Sequence, residues 1–135
     1  MLEKYYKYKI DYKNYLILIK CGNFYECINK DALIINKLFK YKVVRLSNNL
    51  KAGFPINALD KVLIRLDKEK INYIIIENKI KKKNFFNNNY LKYEFSDDIF
   101  YDIIRYNKII KYLDENILNK KLSDKLSMIE EIIRR

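Results

Sequence analysis

Residues 15–28 read Tyr-Leu-Ile-Leu-Ile-Lys-Cys-Gly-Asn-Phe-Tyr-Glu-Cys-Ile. Tyr15–Cys21 is apolar and β-branched between Asn14 and Gly22, the composition of a mostly buried strand. Gly22-Asn23 is a turn signal, because Gly takes positive φ freely and Asn tolerates it. Phe24–Ile28 then returns as the second strand of a hairpin or tight connection.

Working outward, Asn29–Tyr41 has helical spacing, with Ala32, Ile35, Leu38 and Phe39 as its apolar stripe and Asn29 or Asp31 as its cap. Tyr41–Leu46 is a short strand candidate. Ser47–Pro55 holds paired Asn, one of two Gly and the single Pro, and reads as a loop. Asn57 is placed to cap a helix over Ala58–Lys70 that buries Leu59, Val62, Leu63 and Leu66. Ile71–Glu77 is a third strand, apolar enough to be buried on both faces. Lys79–Asn89 is polar and basic, and Tyr90–Phe95 alternates as an edge strand. In the tail, Ile99, Ile103, Tyr106, Ile110, Leu113 and Ile117 form a 4-3 seam. Leu122, Leu126, Ile129 and Ile133 form another after a cap at Ser123. These spacings predict an α+β, α/β-like fold: a mixed sheet flanked by helices over residues 1–95, then a C-terminal helical hairpin over residues 96–135. The hairpin packs on the sheet or serves association with a second copy or a protein partner.

Composition narrows the chemistry. The 135 residues are half apolar, enough for a core and too few for two ordinary domains. The absence of histidine removes His-based metal sites and general bases, and two glycines exclude Gly-rich phosphate loops. Cys21 and Cys27 form no disulfide framework and no zinc site alone; they read as small strand hydrophobes. No export signal or membrane-length apolar run is present, so the expected setting is a reducing cytoplasm, with no membrane, cofactor or metal. The net charge is +11. Lys, Ile, Asn, Tyr and Phe make up 81 residues and share A- and T-rich codons, so the charge permits nucleic-acid binding without specifying it.

Gly22-Asn23-Phe24-Tyr25-Glu26 resembles the G-D-F-Y-E segment of the mismatch-recognition domain at the amino end of MutS proteins. Gly53-Phe54-Pro55-Ile56-Asn57-Ala58 is similar to that domain's G-I-P-Y-H-A segment, and Tyr73–Glu77 to its apolar strand ending in C-E-Q. The resemblance covers about residues 5–80, extends to 95 at most, and leaves out the tail. It implies a non-enzymatic module for duplex DNA carrying a mismatch or bulge. Phe24 would enter the minor groove and stack on the loosened base, and Glu26 would contact that base. Asn23 stands where the family has Asp, and Asn57 where it has His. As a stand-alone domain the chain would lack the family's ATPase, clamp and lever, ATP binding being a property of full-length members.

The physics suits such a pair, since unstacking a base step costs a few kcal/mol in ordinary duplex and less at a mismatch. The stacking gain of roughly 1–3 kcal/mol remains. Lys79, Lys81, Lys82 and Lys83, beside the aromatic run Asn84–Tyr90, are the candidates for phosphate contact. Lys4, Lys7, Lys9 and Lys13 read as a solvated face. Phe24 as a core aromatic and Glu26 as a plain strand residue are the competing readings. Two other functions stay open. One is an interaction adaptor working through the tail. The other is a Mg²⁺-dependent nuclease built on Glu77-Asn78-Lys79 with Asp60 or Glu26 as partner.

Overall fold

The computed structural model describes residues 1–84, 89–119 and 121–135. Phe85–Asn88 of the expected basic-aromatic run lie outside the described residues. The chain folds as α1 (Leu2–Asp11), β1 (Leu16–Cys21), β2 (Phe24–Ile28), α2 (Lys30–Phe39), β3 (Val44–Leu46) and β4 (Asn49–Pro55). A 3₁₀ turn (Ile56–Ala58), α3 (Leu59–Lys68), β5 (Tyr73–Ile76), β6 (Ile80–Asn84) and a second 3₁₀ turn (Asn89–Lys92) follow, then α4 (Ile99–Glu115) and α5 (Leu122–Arg134). The six strands make one mixed sheet in the order β3-β4-β2-β1-β5-β6, the expected α+β class. The chain divides into two compact units, Met1–Phe100 and Tyr101–Arg135.

β1 and β2 close through Gly22-Asn23, with Cys21 opposite Phe24. Gly22 alone in this turn has positive φ, at 60°, as a type II′ hairpin requires of its first central residue. β1 also pairs in parallel with β5, Leu16 to Tyr73 and Ile19 to Ile76, and this central pair is buried on both faces. On one face Tyr5 of α1 packs with Ile17, Ile19, Ile28, Ile74 and Ile76. The alternate residues Leu16, Leu18, Tyr25, Cys27, Phe54, Tyr73 and Ile75 are equally buried, as are Ala32–Ile35 of α2 and Val62, Leu63 and Leu66 of α3.

Several expectations need correction. Residues 2–11 are helical, yet only Tyr5 is buried, so the segment carries little apolar periodicity to read. Ser47–Pro55 is no loop. Leu50, Ala52 and Phe54 point inward at period two, and only Ser47 (φ 55°) and Asn48 turn the β3–β4 hairpin. The edge strand is Ile80–Asn84 rather than Tyr90–Phe95. Its three lysines hid it from a hydrophobicity reading and are the usual guard of an exposed edge.

The expected caps also differ. Asn57, Ser123 and Asp31 do not cap their helices, and Asn29 (φ 53°) makes no side-chain cap bond. Its side chain instead bonds the neighbouring strand, Oδ1 accepting from Leu50 N at 2.9 Å and Nδ2 donating to Asn49 Oδ1 at 2.8 Å. In α2 the buried stripe is Asp31–Ile35, with Leu38 and Phe39 only half-buried.

Asp31 is fully buried and gathers the first unit. Its carboxylate accepts from Tyr5 OH (2.6 Å), Tyr90 OH (2.7 Å), Lys9 Nζ (3.1 Å) and the Ile17 amide (3.0 Å). Lys9 is thus part of the core rather than a solvated face, whereas Lys7 and Lys13 are exposed.

In the second unit, Lys125 of α5 donates to Tyr112 OH of α4 at 2.5 Å, with Nζ 4.5 Å from the ring. The seam is less closed than its spacing predicts. Tyr106 and Ile117 are exposed, as are Leu126 and Ile133, while Ile103, Ile110, Leu113 and Ile129 are half-buried.

Candidate nucleic-acid interface

Strand directions set the site. β1 and β5 run the same way, and β2 and β6 run against them. β4 opposes β2 so that Pro55 meets Phe24. Cys21–Phe24, Pro55–Asn57 and Glu77–Lys79 therefore gather at one end of the sheet.

Phe24 is 49% exposed at that end, between Cys21 of β1 and Pro55 of β4. Alternation turns the next residue, Tyr25, inward, where it is 3% exposed and its ring lies 6.0 Å from that of Phe54. Asn23 is exposed beside the ring, and its carbonyl accepts from Ile56 N at 3.0 Å, binding the hairpin tip to the end of β4. Ile56, itself 40% exposed, is a second apolar side chain at this end that the sequence reading did not single out.

Glu26 shares the face of Phe24 and is ion-paired to Lys51 Nζ at 2.9 Å. It crosses the strand above Gly53, its register partner. A Cβ at residue 53 would stand 3.3 Å from Glu26 Cγ and 3.0 Å from the Tyr25 carbonyl oxygen. Here the glycine is favoured by close approach rather than by its dihedrals. The Cys21 thiol, on the same face, is pushed up by burial and by the nearby Glu26 carboxylate.

The candidate lysines separate along β6. Lys79 is exposed in the turn at the Phe24 end. Lys81 Nζ lies 3.3 Å from Glu77 Oε1. Lys82 lies opposite Ile75, with Nζ 6.0 Å from the Tyr73 ring. Lys83, opposite Ile74, lies over Tyr12 (5.2 Å) and Tyr15 (5.9 Å), toward the other end. The structure thus brings Asn23, Phe24 and Glu26 together, sets Lys79 in a turn at the same end of the sheet and Lys81 with Glu77 on the opposite face, and draws Lys82 and Lys83 away.

Glu77 is the hub of two further lysines: Lys20, which sequence reasoning passed over, and Lys4, which it read as part of a solvated face. Lys20 Nζ is 3.8 Å from its carboxylate, and Lys4 Nζ donates to its main-chain carbonyl. Tyr25 OH donates to the same carboxylate at 3.2 Å. Hydrogen bonding from Lys81 foremost holds the Glu77 carboxyl below its ordinary value, while burial foremost pushes the Tyr25 phenol up. Lys20 was detectable as the one charge in the apolar run 15–21; Lys4 was not, because its helix went unread.

Glu26 lies on the face opposite the Glu77 carboxylate, since Glu26 is level with Ile19, whereas Tyr25 and Lys20 are level with each other and both reach Glu77. Glu26 is therefore not the metal partner that the nuclease reading asked of it. No group of three or more Cys, Asp or Glu among the described residues is arranged to hold a metal ion. Among those residues no helix is long and apolar enough to cross a membrane.

A family model for MutS domain I matches residues 1–96. The chain belongs to the MutS domain I family. It is 33% identical over 66 residues to the DNA mismatch repair protein MutS of Petrotoga mobilis and 36% identical over 66 residues to that of Thermosipho melanesiensis. The MutS of Phocaeicola vulgatus is 28% identical over 71 residues. Each match takes in 49% of this chain and 8% of the relative, so the chain spans a small part of those proteins. All the candidate residues fall inside the MutS domain I match, and residues 97–135 lie beyond it.

Proposed function

We propose that the chain binds duplex DNA containing a mispaired or unpaired base, without catalysing a reaction. Phe24 inserts from the minor groove and stacks on the loosened base. Glu26 leaves Lys51 to accept a hydrogen bond from that base, and Asn23 shapes the tip that carries the ring. Lys79 and Lys81 contact phosphates near the wedge; Lys82 and Lys83 serve a more distant stretch of backbone. The observation that carries this reading is the half-exposed ring of Phe24 at a hairpin tip whose neighbours Tyr25 and Phe54 are buried. A ring kept in water at a rigid turn loses little freedom on binding, and a mismatch is the duplex site where its insertion costs least. Membership of the MutS domain I family supports the same ligand.

Residues 1–95 are the reading domain in this proposal, and residues 96–135 serve association with a second copy or a protein partner. Exposed Ile132, Ile133 and Met128 on α5 support that division. A second wedge or a partner's grip raises the effective concentration of a weak contact.

The test is a titration of two duplexes of one sequence, one fully paired and one with a single unpaired base, across a range of salt. The wild type should prefer the second. Phe24→Ala should bind both alike at the affinity of the paired duplex. Equal wild-type affinity for the two duplexes at every salt concentration would end this reading.

A further inference from the structure

Beside the hairpin tip lies a cleft of about 390 Å³ lined by Lys4, Lys20, Gly22, Glu77 and Asn78. Lys4 comes from α1, Lys20 from β1 and Glu77 from the end of β5. Three chain segments far apart in sequence thus bring two ammonium groups to one opening, and Lys81 of β6 stands at the same carboxylate. The carboxylate is met by Lys20 and Lys81 while Lys4 bonds the neutral Glu77 carbonyl, so three cations stand around one anion and the opening stays positive. The side chains of Lys20 and Glu77 are 41% and 32% exposed, which leaves their 3.8 Å pair weak and exchangeable. Gly22 leaves the wall by the tip open, since a Cβ there would meet nothing within 4 Å.

The cleft is close to the wedge. Gly22 is two residues from Phe24, so their Cα atoms are at most about 7.6 Å apart. Each strand of duplex DNA presents a phosphate for roughly every 3.4 Å of helix axis. The Lys20 and Glu77 side chains lie on the face opposite Phe24, so a strand whose base meets the ring would pass this opening where its backbone rounds the end of the sheet. We infer that the Lys4–Lys20–Asn78 cleft is a phosphodiester seat that fixes where along the strand Phe24 enters. The ammonium groups leave Glu77 for the phosphate oxygens, and Asn78, which lines the opening, supplies an amide donor. This assignment rests on the reading of the chain as a duplex-DNA binder.

The test uses the full chain, a fluorescently labelled paired duplex and its unpaired-base counterpart, and anisotropy titrations over salt. Lys4→Gln and Lys20→Gln should each lower the slope of log K against log salt by about 0.9, equally on both duplexes, with their affinity ratio unchanged. Lys68→Gln, in the last turn of α3 at the other end of the sheet, should keep the wild-type slope. Thermal melts check that each variant is folded. Wild-type slopes in folded Lys4→Gln and Lys20→Gln overturn the seat even if the wild type discriminates between duplexes. Lowered slopes in a protein that does not discriminate uphold the seat and sink the wedge. No binding to either duplex sinks both.

Discussion

Asp31 and Glu77 meet the same chemical partners in opposite surroundings. Asp31 takes one lysine ammonium group and two tyrosine hydroxyls, Glu77 two ammonium groups and one hydroxyl. Asp31 is 0% exposed and bonds Lys9, Tyr5, Tyr90 and a backbone amide, so it fastens α1, β1, α2 and the turn at Asn89–Lys92 together. Glu77, with its side chain 32% exposed, meets Lys20, Lys81 and Tyr25 where water competes for every one of them. Away from water, a polar cluster is costly to break and serves structure. In water, the same groups trade partners at little cost and suit a ligand. The sheet has one end built to hold and another built to exchange.

Four measurements press on this contrast, taken from the largest effect. Asp31→Ala leaves the Lys9 ammonium and two hydroxyls without their buried acceptor, and denaturant unfolding should show a loss of about 3–5 kcal/mol. A loss no greater than that of Glu77→Gln would erase the distinction.

The second concerns Tyr5 and Tyr90, whose phenols are held well above their ordinary value of 10.0, by burial first and by Asp31 next. A raised folded value means that the native state keeps its protons while the unfolded chain gives them up. This stability is therefore complete below pH 10 and declines as pH climbs beyond it. Tyr5→Phe should cost about 1–3 kcal/mol at neutral pH and flatten the alkaline decline, read from melts between pH 8 and 12. An unchanged decline would place it elsewhere.

Third, Phe24→Ala should keep the melting temperature close to wild type while discrimination between duplexes falls about tenfold or more, the worth of roughly 1–3 kcal/mol of stacking. A large drop in melting temperature would make the ring a core residue. Fourth and smallest, Glu77→Gln should leave the unfolding midpoint unmoved and raise affinity for both duplexes about two- to fivefold, since a negative charge beside the phosphates is gone. Weaker binding would mean that Glu77 is needed to hold the lysines in place.

The hairpin and the β5 core strand were legible because turn chemistry and apolar runs are local signals. Alternation puts Phe24 and Tyr25 on opposite faces, but only the resemblance to MutS proteins picked Phe24 as the exposed one. The rest depended on distance. Asp31 looks like a helix cap in sequence, and only folding brings Tyr5 and Tyr90 to it from 26 and 59 residues away. β4 was concealed by Asn, Gly and Pro, which normally mark loops; here Gly53 makes room for Glu26, and Pro55 ends the strand. β6 was concealed by its lysines, two of which set their ammonium groups over tyrosine rings, Lys82 over Tyr73 and Lys83 over Tyr12 and Tyr15. Of the site, the ring and its glutamate could be named in advance. The lysines around them could not: Lys51, on Glu26, comes from β4, which reads as a loop, and Lys4 and Lys20, on Glu77, come from α1 and β1.

The borders of the sheet have a consequence for how copies of this molecule treat one another. β3 offers only three residues for pairing, and β6 presents Lys81, Lys82 and Lys83 in succession. Two molecules meeting strand to strand along β6 would bring like charges together, an effective barrier at the roughly 10 Å screening length of 0.1 M salt and a poor one at the roughly 3 Å of 1 M. Dilute buffer should therefore keep concentrated solutions clear, and concentrated salt should favour fibrous precipitation.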